Sequence, residues 1–218
     1  MKKLLLLLTC SLIYFNTGLA QSQTKTQVTP KGVYAEIDIA DCNKTILALQ
    51  GPDAGAHKAA AEVLKTPNKY NPPVIFELSR LLFKDGKKQE ASYWFYVAQL
   101  RARYDANLCT DASARSAAGA LTGEYGPEIN IYATKDVVQL EKTVKKVCEF
   151  VRKNNEEYDH RWINLHGLSA MSASLGDPID NEPLSLPKKK WSSVKKKTID
   201  DYYSGFITYS SVLKKSQK

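Results

Sequence analysis

The chain has little of what most catalytic folds are recognised by. Its three histidines and four cysteines form no CxxC pair, no Cys/His cluster at metal-ligand spacing and no HExxH helix, so neither a structural nor a catalytic zinc site is expected. No serine sits in a Gly-x-Ser-x-Gly elbow. The longest apolar run, Leu4 to Phe15, is short of the roughly 18–20 residues a membrane span needs. No catalytic set, metal or cofactor is expected from these motifs.

The first twenty residues do carry an address. Lys2-Lys3 is a basic start, Leu4 to Phe15 an apolar core, and Gly18-Leu19-Ala20 offers small residues at the positions a signal peptidase reads. The compact basic-then-leucine form predicts a cleavable bacterial signal over 1–20 and a periplasmic or secreted protein. Cys10, preceded by Leu7-Leu8-Thr9, weakly resembles a lipoprotein acylation site, with Thr9 where Gly, Ala or Ser is usual. Residues 21–31 then read as a flexible linker, because one aliphatic residue among polar ones cannot bury a face.

Charge is uneven. The net charge is +8, yet residues 21–187 hold 20 basic and 21 acidic groups, and the segment from Lys188 onward holds nine lysines against Asp200 and Asp201. The basicity belongs to a C-terminal segment over 188–218 and not to the body over 32–187. A high isoelectric point therefore does not point to nucleic acid here. Export would place Cys42, Cys109 and Cys148 in an oxidising compartment, where two are expected to pair. The expected bridge is Cys109–Cys148; closing a loop of about 40 residues would contribute roughly 3–4 kcal/mol.

Hydrophobic spacing is mostly helical. Residues 32–42 are the exception: Val33, Ala35, Ile37 and Ile39 alternate with Tyr34, Glu36 and Asp38, which predicts a strand, paired across a turn with 45–49 as a short β-hairpin, or else an extended segment. Short helices are predicted over 56–64, over 110–121 and from Pro127 to Ala133, the last two separated by a turn at 123–127. The longest is predicted over 137–153, with Val137, Leu140, Val144, Val147, Cys148 and Val151 on one face. An irregular linker over 172–187 precedes a last helix opening at Thr198. The fold expected is mostly α, a helical-hairpin array or an irregular helical bundle.

The clearest element lies between Asn71 and Asp105. Ile75, Leu78 and Leu82, then Ala91, Trp94, Phe95 and Ala98, mark two helices, with Pro72-Pro73 at the start and Gly86 in the turn. Leu78 stands thirteen residues before the small Ala91, and Phe95 and Ala98 hold the aromatic and second small positions. This segment resembles a single tetratricopeptide or Sel-one-type repeat, with Ser79 where that family usually has Gly and Arg103 where it often has Pro. No second copy of the spacing follows. The resemblance implies a tetratricopeptide-like packing and a groove that binds another protein, contacted by Phe76, Glu77, Arg80, Phe83 and, at the end of the second helix, Tyr104.

Two further candidates stand outside the hairpin. Tyr158 to Gly167 gathers Asp159, His160, Arg161, Trp162 and His166. Arg161 is an expected partner contact, and Asp159, His160 and His166 are the residues on which a cell-envelope hydrolase would have to rely. The triplets Lys188, Lys189, Lys190 and Lys195, Lys196, Lys197 flank Trp191, a pattern that suits an anionic membrane surface or an acidic partner. The leading expectation is an exported protein-binding module, most specifically an immunity protein whose partner is an antibacterial toxin or effector. The rivals are the hydrolase and an envelope-associated structural protein held by the basic segment. The intact mass of the exported form should correspond to a chain beginning at Gln21 without lipid; a diacylated Cys10 terminus would replace this with an anchored protein.

Overall fold

The computed structural model describes residues 29–178 and 182–216; the predicted signal segment, Cys10 and most of the predicted linker lie outside the described residues. Eight α-helices follow one another: α1 (Ala40–Leu49), α2 (Asp53–Lys65), α3 (Pro72–Lys84), α4 (Lys88–Leu108), α5 (Ser116–Ala133), α6 (Val137–Lys153), α7 (Leu168–Leu175) and α8 (Trp191–Ser216). Short 3-10 turns stand at Gly32–Glu36, Pro67–Lys69, His160–His166 and Lys188–Lys190. The fold is mostly α.

The α3–α4 hairpin forms as its residues require. Gly86 takes a positive φ of 79°, and the Lys87 N–H reaches back to the Leu82 carbonyl at 2.9 Å, closing α3 with a left-handed cap. Ile75, Leu78, Ala91, Phe95 and Ala98 are all fully buried between the two helices and their neighbours. Ser79 is buried too, its hydroxyl returned to the Phe76 carbonyl. Helix α4 is the centre: α3, α5, α6 and α8 all pack against it. A helix covered on several sides buries residues nearly all round, apolar Trp94, Phe95, Val97, Leu100 and Leu108 and also the charged Arg101 and Asp105. These packed helix pairs are compatible with a helical-repeat fold.

Four expectations are corrected. The predicted β-hairpin is absent. Residues 32–36 form a 3-10 turn and 40–49 a helix, because Ile39, Cys42, Ile46 and Leu49 share a helical face that packs on the core. The Asp38 side chain accepts the Ala40 N–H at 3.0 Å as that helix opens. The expected turn at 123–127 is the interior of α5, with Pro127 inside the helix. Packing overrides the breaker: a side chain at Gly126 would meet the Phe95 ring at 3.0 Å, so Gly126 is what lets α5 lie close on α4. The last helix opens at Trp191, not Thr198, and Ile199 on it joins the main core. Finally, Cys42, Cys109 and Cys148 are free thiols, so the expected Cys109–Cys148 bridge is not formed. The Cys109 thiol instead donates to the Asn164 side chain at 3.1 Å, and Cys148 is buried on α6.

Phe76, placed by the sequence on a partner-facing surface, is fully buried, stacked on Tyr125 and edge-on to Phe95. Phe76→Ala should lower the unfolding free energy by about 3–5 kcal/mol in denaturant melting; a loss below roughly 0.5 kcal/mol would return Phe76 to the surface.

Candidate functional site

Two clefts hold the polar residues singled out by the sequence, and each is built on a buried carboxylate. The first, about 500 Å³, opens between the C-terminal end of α1, the exposed side of α3 and the middle of α5. Its floor is Glu77, whose side chain is only 2% exposed. A buried carboxylate demands donors, and three arrive from three elements. Gln50 donates at 3.1 Å and the Tyr125 hydroxyl at 3.0 Å, both to Oε2, while Arg80 donates to Oε1 through Nε at 3.0 Å. Burial and the neighbouring Glu77 charge push the Tyr125 phenol well above its ordinary value, so it remains a donor. Arg80 keeps 55% of its side chain exposed while its head is fixed, its guanidinium 5.7 Å from the Tyr125 ring centre. Phe83, Lys84, Asp53, Glu124 and Glu128 complete the wall and rim.

The second cleft, about 510 Å³, is lined by Glu156 to Arg161, Ser185, Lys188 and Trp191. Behind it lies Asp105, completely buried on α4. Its Oδ2 accepts the Trp162 indole N–H at 2.7 Å and the Tyr158 hydroxyl at 3.0 Å; its Oδ1 accepts His160 Nδ1–H at 2.5 Å. The imidazole is boxed by Tyr104, Tyr158 and Trp191, with ring centres 5.0–5.2 Å away. Beside it, Glu156 joins the buried Arg101 at 3.6 Å and Lys195 at 2.7 Å, a bridge from α4 to α8. Desolvation opposes charge on His160, but the hydrogen bond and charge of Asp105 outweigh it and hold the imidazole above its ordinary value. Burial pushes Asp105 upward, with the His160 and Trp162 hydrogen bonds pulling back. The bond to Asp105 spends Nδ1–H, so the ring's remaining nitrogen is Nε2, and the raised value extends the pH range over which that atom carries a proton.

The residues expected to form one groove are therefore divided. Glu77, Arg80 and Phe83 do meet at the first cleft. Phe76 lies behind its wall, and Tyr104, at 3% exposure, sits beside His160 at the other site. Arg161 lines the second cleft, gripped by Asp159 at 2.8 Å. Asp159 is thereby committed to Arg161 and to capping the 3-10 turn, while His166 packs edge-on to Trp162. Of the lysines, Lys195 is tied to Glu156 and the Asn154 carbonyl, and Lys196 and Lys197 pair with Asp200 and Asp201 one helical turn on. Lys188, Lys189 and Lys190 are exposed on a 3-10 turn. Sequence reasoning missed Asp105, Glu156, Tyr125 and the wholly buried Arg101. One signal was there: Arg101 and Asp105 continue the buried spacing of Ala91, Trp94 and Ala98.

Both shifts at the Asp105–His160 pair mean that the folded state binds protons more tightly than the unfolded one. Stability from His160 is then complete below its ordinary value of 6.5 and declines as pH rises through its higher folded value. Besides Asp105, the charged or titratable groups facing the ring are Tyr104, Tyr158, Glu156 and Lys195. The melting temperature should fall across that window, and His160→Gln should flatten the fall; identical slopes in both proteins would remove the pair as its source. No protein-family model, curated protein or solved structure matches this chain.

Proposed function

We propose that the chain is an exported helical binding module that takes a protein partner in the first cleft. In its most specific form it is an immunity protein that neutralises an antibacterial effector. One observation carries the binding reading: Arg80 is half exposed and yet immobilised by the buried Glu77 and set beside Tyr125. Arginine is a favoured hot-spot residue. A side chain ordered before the encounter loses less entropy on binding. The part-buried Phe83 and the charged rim of Asp53, Lys84, Glu124 and Glu128 supply the mixed surface of an interface whose core is small and whose edge is polar. The signal segment supports an envelope address, where an effector would be met.

The hydrolase reading draws less support. Asp159 is committed to Arg161 and His166 packs on Trp162, which leaves His160, held by Asp105, without either as a partner. Attachment by the basic segment rests on Lys188, Lys189 and Lys190, since Lys195, Lys196 and Lys197 are engaged within the protein.

The test uses the full chain as bait in an envelope extract, followed by calorimetry on the captured protein. Arg80→Ala should weaken binding by about 2 kcal/mol. Gln50 and Tyr125 still donate to Glu77 in that variant, so folding should lose no more than about 1.5 kcal/mol. Replacing Lys188, Lys189 and Lys190 by serine should slow association more than it loosens the complex. Unchanged affinity for Arg80→Ala with a large loss in the lysine variant would move the interface to the C-terminal segment.

A further inference from the structure

The second cleft carries a reading independent of the first. Its lining divides into groups already satisfied and groups that are not. Of the acceptors, Asp159 is committed to Arg161 and Glu156 Oε2 to Lys195, while Glu156 Oε1 is buried 3.6 Å from Arg101 Nε and forms no hydrogen bond among the described residues. Glu157 is exposed and forms no ion pair among the described residues. The donors are less committed. His160, a lining residue, spends Nδ1–H on Asp105, while Nε2 forms no hydrogen bond among the described residues. The Ser185 hydroxyl is buried in the cleft wall with no hydrogen-bond partner among the described residues, a state that buried polar atoms rarely keep. Lys188 pairs with no carboxylate among the described residues; its ammonium lies 6.0 Å from the Trp191 ring centre, and Trp191 itself is half-buried.

We propose that this cleft binds an oxyanion, a carboxylate or a phosphate, through His160 Nε2–H, the Ser185 hydroxyl and the Lys188 ammonium, with Trp191 as the wall for an attached apolar group. Three unspent donors of different chemistry on one concave surface match the acceptor-only character of such anions. Trp191 is fixed by donating its indole N–H to the Leu186 carbonyl at 2.7 Å, so the wall is in place before a ligand arrives. Ser185 is held by the neighbouring backbone: Thr110 donates to the Leu184 carbonyl and Leu186 to the Leu108 carbonyl, clamping 184–186 to the end of α4. The buried Asp105 behind His160 serves as a positioning residue, holding Nδ1–H and leaving Nε2 for the anion.

Calorimetry and the His160 imidazole resonances, on the full chain, test this with benzoate, phenyl phosphate and the neutral benzamide. Either anion should bind with an affinity in roughly the millimolar range and shift the His160 resonances, and benzamide should do neither. Benzoate alone would assign the site to carboxylates, phenyl phosphate alone to phosphates, and both to oxyanions in general. Ser185→Ala and Lys188→Ala should each weaken binding roughly ten-fold with unchanged melting. Lys188 is exposed, so that variant remains decisive even if Ser185→Ala disturbs the fold. Binding of benzamide as strong as benzoate, no binding by either anion, or an affinity unmoved in Lys188→Ala would overturn the proposal.

Discussion

A carboxylate sealed inside a helical core has to be answered by donors, and Asp105 in the middle of this one sets much of what surrounds it. Leaving such a charge unpaired costs several kcal/mol, more than any local preference of the chain that must reach it. The segment after α6 therefore runs back across α4 so that Tyr158, His160 and Trp162 can all donate to the same side chain. That requirement winds 160–166 into a 3-10 turn and brings the imidazole against Trp191, the first residue of α8. The Arg101–Glu156–Lys195 bridge beside it ties α8 to the same point. The C-terminal helix is thus held by a buried ionic cluster as well as by apolar contact.

The first cleft repeats the device on the facing helix of the hairpin. Glu77 stands on α3 as Asp105 stands on α4, each buried, and each collects donors from elements distant in sequence. Gln50 and Tyr125 reach Glu77 from α1's end and α5. In both places the carboxylate lies behind the site and the functional groups lie in front of it, positioned by it: Arg80 at one cleft, His160 at the other. A buried carboxylate is poor evidence for stability. As a constraint on geometry it is effective, since only one arrangement of neighbours satisfies it.

Much of the fold was legible from the chain. The apolar spacing over 72–105 and 137–153, Pro72-Pro73 and Gly86 are local signals, and they produced α3, α4 and α6 close to where they stand. The errors came where two local signals competed. Val33, Ala35, Ile37 and Ile39 alternate like a strand, but Ile39, Cys42, Ile46 and Leu49 also share a helical face, and burial against the core decided for the helix. Pro127 reads as a break until Gly126 is seen to admit the Phe95 ring. The candidate site was legible in part: Arg80, Glu77 and Phe83 were named and do meet, whereas Phe76 and Tyr104 were assigned outward by the resemblance to a tetratricopeptide-type repeat and are buried by α5 and by the 158–191 region.

What the sequence determined by itself was the helical class, the central hairpin with its cap, the neutral body and the basic C-terminal segment, because periodicity, turn chemistry and charge act over a few residues. What the tertiary structure alone decided was which charges are inside. Glu156 looks in sequence like an ordinary solvated residue, Glu77 like an outward contact, and Arg101 and Asp105 fall on the buried spacing of α4 without showing what would pair them. Their burial depends on partners 27 to 57 positions away, and no local pattern reveals a hydrogen bond that closes only when the helices pack. The same reason places His160 with Asp105 and not with Asp159 or His166: a buried charge binds whatever donor the fold brings within reach, whatever its distance along the chain.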